Sequence, residues 1–496
     1  MYYLRPKKIS IRVGNKFIVL MNQITAHNYD LHASDRVLLK NAGNEAIAIL
    51  DITINHDLKD NEIGLYEETW NKLKVEKGDR RVSMMPMERP QSVFYIRKKL
   101  DGEKLSDEEI DAIVKDIVAD RLSDVEMTYF VSGCYCGGLS DKETVALTKS
   151  VVKNGGHIKF TDKIVIDKHC IGGVPGNRST MLAVPIMTSL GLRMPKTSSR
   201  AITSPAGTAD TMEVMANVTI PADKLKKIAM KVGGFIAWGG GVDIASADDK
   251  LIKIRNPMSL DPQGMLLASI LAKKHAVSST HVLIDIPYGP DVKVKSPKAA
   301  EPLKKKFEKI GAMLGMKVKV VFTDGSQPIG NGVGTVLEAL DIIKVLKNAP
   351  DAPQDLVKKT VWLCGIMLEM VGKAKKGKGE AMAMETLTSG KAWKKFQDII
   401  NAQGKNKKPL KVGDITFDVK AKKSGIITAI NNKLISRTAR MAGAPVNSGA
   451  GVFVHKKIGD AVKKGDVLYT IYSESKAHMA TIMDCGGIEC EIYKIK

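Results

Sequence analysis

Between residues 163 and 190 the chain passes from the apolar run Lys163-Ile164-Val165-Ile166-Asp167, through a turn carrying Gly172, Gly173, Pro175 and Gly176, into the apolar stretch Met181 to Leu190. A strand pattern, a glycine-rich turn and a helical pattern in that order are the repeating unit of α/β proteins. The segment therefore commits the middle of the chain to α/β construction. Ser279 to Ile286 and Lys317 to Phe322 read as further strands of the same layer.

The flanks read differently. Residues 1–90 alternate apolar and polar positions at Ile9 to Val13, Phe17 to Met21, Arg36 to Leu39 and Ala46 to Ile54, broken by Gly14-Asn15 and Asn41 to Asn44, which predicts a small β-rich domain. Met87 to Pro90 marks its end. Helical periodicity then runs through 91–160, where Ser106 followed by Asp107, Glu108 and Glu109 supplies an N-cap and an acidic first turn, with a second helical contribution near 247–280. The α/β domain is expected over 161–413 and a β module over 414–496. In that module, Gly459 to Leu468 reads as two strands around tight turns and resembles the barrel-sandwich fold of lipoyl and biotinyl carrier modules, without their modifiable lysine in its usual setting.

Charge limits the function classes. Lysine and arginine number 76 against 54 acidic residues, a net of +22, which first suggests a polyanionic partner. The densest runs, Lys298 to Val320 and Gly372 to Lys411, look like amphipathic helices with lysine on the wet face, and aromatic residues for base stacking make up only 5%. A solvated lysine-rich surface is the reading adopted, with no nucleic-acid partner. No stretch of 18 uncharged apolar residues and no apolar leader is found, so a cytoplasmic protein with no membrane partner is expected. The six cysteines form no CxxC, so neither a disulfide framework nor a metal site is expected.

Two segments carry the chemistry. In Asp167-Lys168-His169-Cys170-Ile171-Gly172-Gly173-Val174-Pro175-Gly176-Asn177-Arg178-Ser179-Thr180, the glycines let backbone N–H groups converge on one anion at a helix start, Lys168 adds charge, and Ser179 or Thr180 adds a hydroxyl. The pattern fits neither the Walker loop nor GxGxxG, and a tight turn that uses glycine only for backbone freedom accounts for it equally well. The second segment, Ser198 to Asp210, places five hydroxyls and Arg200 within eleven residues, a density suited to an anion or a sugar, or to a capped loop before a helix through Met212 to Met215.

Lys168-His169-x-x-Gly172-Gly173, Ser198-x-Arg200, Ala206-Gly207-Thr208-x-Asp210-x-x-Glu213 and the stretch Arg255 to Lys274 together resemble the thymidine and pyrimidine-nucleoside phosphorylase family over about residues 91–496. Cys170, Thr203-Ser204-Pro205-Ala206-Gly207-Thr208 in place of the nucleoside enzymes' Gly-His-Thr-Gly-Gly-Thr, and the added domain at 1–90 resemble the family's archaeal AMP phosphorylase branch. The resemblance implies an α/β fold of the nucleoside phosphorylase type. It also implies a pentosyltransferase that takes AMP, and possible relatives CMP and UMP, with inorganic phosphate as co-substrate and no cofactor, and a homodimer or larger homo-oligomer. By the same resemblance Lys168, Gly172, Thr180 and Ser198 hold phosphate. Gly173, Ser199, Arg200, Ala201, Ile202, Thr203, Ser204, Thr208, Ser269 and Lys293 hold the nucleotide, and Asp261 protonates the leaving base, with Lys273 as a further base contact.

Arg200 and Lys293 are the expected partners of the 5′-phosphate, the first bidentate and the second a point charge. For Asp261 to act near neutral pH, burial must raise its pKa. Local sequence alone reads Asp261-Pro262 as a helix N-cap. His169 fits either a sugar or base contact or a structural role in the turn. A nucleoside phosphorylase, an anthranilate-type phosphoribosyltransferase and a basic nucleic-acid-binding protein stand as alternatives.

Overall fold

Tyr2–Ile9 (β1), Ile18–Asn22 (β2), Arg36–Asn41 (β3), Asn44–Thr53 (β4), Glu62–Tyr66 (β5) and Val82–Pro86 (β6) close into a barrel in the order β1-β5-β2-β4-β3-β6. The computed structural model describes the chain apart from residues 15, 55–57, 77, 79–80, 202–203, 259 and 485–491. The strand expected at Ile9 to Val13 lies earlier. β1 ends at Ile9, and the Val13 N–H donates to the Glu68 carboxylate (3.2 Å) instead of to a ladder. Tyr2–Ile9 takes the position because it pairs on both sides, parallel to β5 and antiparallel to β6, and buries Leu4 inside the barrel.

A helical lobe follows. The helices Asp107–Val118, Asp124–Cys136 and Asp141–Lys153 each start on a serine whose hydroxyl accepts from the N–H three residues on, while the glutamate there returns the bond, at Ser106/Glu109, Ser123/Glu126 and Ser140/Glu143. Each such cap contributes about 1 kcal/mol. The later helices Ser246–Arg255 and Gln263–His275 bury Leu251, Met265 and Ala272 in the same core as Ile113, Phe130 and Leu147. The helical contribution expected near 247–280 is thus interrupted. Pro257, in the short 3-10 turn Asn256–Met258, and Pro262 each lack the N–H that a continuous helix needs.

The α/β lobe holds Ile166–Cys170 (β7), Met194–Ser198 (β8), Gly234–Trp238 (β9), His281–Tyr288 (β10) and Lys317–Asp324 (β11). β7 pairs with β10 and β10 with β11, β8 pairs with β9, and a Val165–Arg193 bridge links the two sets; every pairing is parallel. All five strands therefore end at one edge, where open α/β sheets bind ligands. The strand expected at Lys163 to Asp167 sits three residues later, because its pairing with β10 begins at Ile166 and runs on through Asp167 and Lys168.

The C-terminal module pairs Ile415–Lys420 with Val467–Ser473, and that strand with Gly451–Val454. Gly332–Val333, from the preceding lobe, completes the sheet through the register Gly332 to Phe453. The two strands expected within Gly459 to Leu468 are Ala461–Val462 and the start of Val467–Ser473. Among the described residues no helix is long and apolar enough to cross a membrane.

Candidate functional site

β7 delivers the glycine-rich turn to the carboxyl edge of the sheet. Gly172, Gly173 and Gly176 have φ of 93°, 97° and 70°, a region that costs a residue with a Cβ about 1–2 kcal/mol. At Gly176 space decides as well, since a Cβ there would stand 2.3 Å from the Ile329 carbonyl oxygen. The turn leads into the Ser179–Ser189 helix, whose positive end and Thr180 meet a cleft of about 1110 Å³. Gly172, Gly173, Ser198, Ser199, Arg200, Ser204, Thr208 and Lys293 line that cleft too, so most of the residues implied by the resemblance converge. Ile202 and Thr203, and the cysteines 485 and 490, lie outside the described residues.

Lys168 lies beneath the loop. Its side chain is 1% exposed, and Nζ donates to Ser179 Oγ (2.6 Å) and stands 3.7 Å from the Asp285 carboxylate. Lys196 Nζ donates to Asp167 Oδ1 (3.3 Å) and the Lys168 carbonyl (3.1 Å), Lys274 Nζ pairs with Asp167 (2.7 Å), and Lys359 Nζ pairs with Asp285 (3.2 Å). Four buried lysines thus face two aspartates, four positive charges against two negative ones. Excess buried charge is costly, so Lys168 and Lys196 shift toward neutrality. Burial lowers Lys168 and brings Lys196, which reaches the cleft wall, down to about 7. Burial and the neighbouring lysines hold the cleft-lining His169 imidazole well below its usual range, so it meets a ligand as a neutral hydrogen-bonding ring.

The hydroxyl-rich loop after β8 is held by carboxylates. Asp210 Oδ2 accepts from the N–H of Ala201 (2.6 Å) and of Gly207 (2.8 Å), so Ala201 serves the loop through its backbone. Thr208 opens the Thr208–Glu213 helix. Arg200 Nη2 donates to Glu213 (2.7 Å), Nη1 reaches Glu213 and Asp210, and the guanidinium lies 4.7 Å from the Trp238 ring centroid. Its charge is already matched in the free chain, and the bond to Glu213 raises its pKa further.

Asp261 does not cap a helix. The Gln263–His275 helix has Pro262 at its cap, and the Asp261 carboxylate instead meets Lys293 Nζ (2.5 Å) and Arg255 (3.5 Å). Its side chain is 37% exposed, so the burial asked of a proton donor is not its environment in the free chain. Lys293 follows β10 and Asp261 belongs to the helical lobe, so the pair ties the lobes together beside the cleft, which Lys293 lines and Asp261 does not. Ser269 Oγ donates to Asp248 Oδ2 (2.6 Å), and Lys273 and Arg255 meet the same carboxylate, which places Ser269 in a polar cluster on the helical side.

Three stretches match described families: residues 93–155 the glycosyl transferase family helical bundle domain, 162–393 the glycosyl transferase family a/b domain, and 426–485 the pyrimidine nucleoside phosphorylase C-terminal domain. The AMP phosphorylase of Methanococcoides burtonii is 42% identical over 480 residues, covering 96% of this chain and 94% of that one. This chain belongs to the AMP and pyrimidine-nucleoside phosphorylase family. Two further relatives are the AMP phosphorylase of Thermococcus kodakarensis, 43% identical over 95% of both chains, and a provisional thymidine phosphorylase of Hahella chejuensis, 42% identical over 97% of this chain and 95% of that one. Anthranilate phosphoribosyltransferase from Thermus thermophilus, 18% identical with a TM-score of 0.53 over 62% of this chain and 98% of that one, shares the fold.

The structure adds to this phosphorylase cleft residues that sequence reasoning missed. Arg178 lines it, paired with buried Glu338 (2.6 Å) and donating to Thr211 (3.3 Å). Lys196 stands two residues before the hydroxyl loop, and its burial is not visible in a lysine-rich sequence. The opposite wall is the Asn432–Met441 helix of the C-terminal module, with Lys433, Ser436, Arg437 and Arg440 on the cleft. The spacing of those cations at i, i+4 and i+7 was the available signal.

Proposed function

We propose that this chain catalyses phosphorolysis of a nucleoside 5′-monophosphate, AMP foremost, with CMP and UMP as further substrates, giving the free base and ribose 1,5-bisphosphate. The AMP phosphorylases that align with it at 42–43% identity over almost its whole length carry this reading. In it, inorganic phosphate rests on the Gly172–Gly173 backbone, Thr180, Ser198 and Thr208, with the buried lysines supplying positive charge from below. A phosphate oxygen bonds to C1′ as the glycosidic C–N bond breaks, and the bond's electron pair leaves with the base.

Asp261 gives its proton to the departing base, for adenine at N7, a step worth about 10²–10⁴-fold. Ser269 orients the base, and Gly173, the Ser199–Ser204 loop and Lys293 hold the nucleotide. Lys293 must then exchange Asp261 for its ligand. The reading includes assembly as a homodimer or larger oligomer in the cytoplasm, with no cofactor.

Incubating the protein with phosphate and each of AMP, CMP, UMP and thymidine, and following base release by chromatography, tests it. Adenine with ribose 1,5-bisphosphate is expected. Release from thymidine alone would refute it in favour of the nucleoside activity suggested by the thymidine phosphorylase relatives.

A further inference from the structure

We infer that the Asn432–Met441 helix of the C-terminal module is the 5′-phosphate subsite, with Arg437 and Lys433 as the binding cations. The inference rests on the nucleotide reading above and names the part of the chain that tells a nucleotide from a nucleoside. Seven lysines and arginines line the cleft against two carboxylates, Asp291 and Glu338. Several of the seven are committed in the free chain: Arg178 to Glu338, Lys196 to Asp167, Arg200 to Glu213 and Asp210, and Lys293 to Asp261. Arg437 and Lys433 have no carboxylate partner among the described residues, and both are exposed to the cleft. One turn apart on a single helix face, they repel each other by a few tenths of a kcal/mol. A phosphate dianion between them removes that repulsion and accepts charge-assisted hydrogen bonds from both.

The helix is also fixed where a nucleotide must end. The Asn432 N–H donates to Asp291 Oδ2 (3.0 Å) in the loop after β10, two residues from Lys293, and Asn432 Nδ2 donates to the Gly325 carbonyl (2.8 Å) just after β11. The helix therefore starts at the carboxyl edge of the sheet that carries the glycine turn. Asn432 is 1% exposed, yet its Oδ1 has no partner among the described residues although it borders the cleft. The bond from Nδ2 fixes the amide orientation, so Oδ1 is an acceptor waiting for a donor, which a ribose hydroxyl supplies. Arg437, Asn432 and the glycine turn all line the one cleft, so a ribose phosphate held by Arg437 and Asn432 shares it with the attacking phosphate at the turn.

The test uses the full-length protein and its Arg437→Ala and Arg437→Lys variants. KM is measured for AMP at saturating phosphate and for phosphate at saturating AMP, with ribose 5-phosphate and adenosine as inhibitors. In Arg437→Ala the KM for AMP and the inhibition constant of ribose 5-phosphate should each rise about tenfold, the loss of one charge-assisted bond. The KM for phosphate and the inhibition constant of adenosine should stay within about twofold, and Arg437→Lys should recover part of the loss. An unchanged KM for AMP overturns the inference, as does an equal rise for both substrates, which would mark only a general field. A wild-type protein that releases no adenine overturns the nucleotide reading and this inference with it, whereas an active wild type with an indifferent Arg437→Ala removes the inference alone.

Discussion

Replacing Lys196 by methionine should abolish a proton that the protein takes up together with a dianion. The Lys196 ammonium is 5% exposed, shares Asp167 with Lys274, and is drawn by burial from 10.5 to about 7. At pH 8 an amine with that pKa is about one-tenth charged. A dianion a few ångströms away attracts an ammonium by several kcal/mol at an effective dielectric constant of about 20. Raising a pKa by one unit takes about 1.4 kcal/mol, so the bound state holds Lys196 fully charged and roughly 0.9 proton enters with the ligand. Sulfate is the suitable probe, because it does not titrate near neutrality. Calorimetric titrations at pH 8 in two buffers of different ionisation enthalpy give the proton count directly. No uptake by the wild type, or the same uptake by a folded Lys196→Met, would refute the reasoning. Stability carries the same sign: with the folded pKa below the unfolded one, the native state binds fewer protons between about pH 7 and 10.5. The wild type should therefore gain stability relative to Lys196→Met as pH rises through that window.

Asp261→Asn should lower kcat by about 10²–10⁴-fold while Tm moves little, because the side chain is partly exposed; near-normal turnover would remove its role as acid. Gly176→Ala should cost at least about 2 kcal/mol in a denaturant titration, given φ of 70° and a carbonyl oxygen 2.3 Å from the new Cβ; wild-type stability would show that the turn yields easily. Ser106→Ala should lower stability by about 1 kcal/mol with kcat unchanged, since it opens a capping box in the helical lobe far from the chemistry; an unaltered midpoint would show that the cap contributes nothing.

The α/β order of the middle of the chain was legible because strand, glycine turn and helix follow one another without interruption, and the helix expected from Met181 starts at Ser179. The strand before it, Ile166–Cys170, runs past its apolar signature, which ends at Ile166. The pairing continues through Asp167-Lys168-His169-Cys170, where Asp167 is buried and matched by lysines from β8 and the Gln263–His275 helix, and Lys168 is buried beside Asp285, which a lysine from a helix far downstream also meets. Local periodicity cannot report partners more than a hundred residues away. Asp261 misled the local reading for a related reason: its position before a proline signals a cap, yet Lys293 takes its carboxylate. The sequence from Thr161 to Asp210 showed a net of only +3. The cleft is far more basic because β8, the loop after β10 and the C-terminal helix bring their cations to one place.

Gly332–Val333 precedes the C-terminal module by some eighty residues and yet forms one edge of its sheet, hydrogen-bonded to Gly451–Val454. The boundary seen along the chain and the boundary seen in the backbone ladder therefore do not coincide. A cut between them would strand an unpaired edge on one fragment and open the sheet on the other, so neither piece is a self-sufficient folding unit. An exchange of this module between relatives would have to carry the Gly332–Val333 turn with it, and the wall of arginines and the glycine turn opposite are inherited as one object.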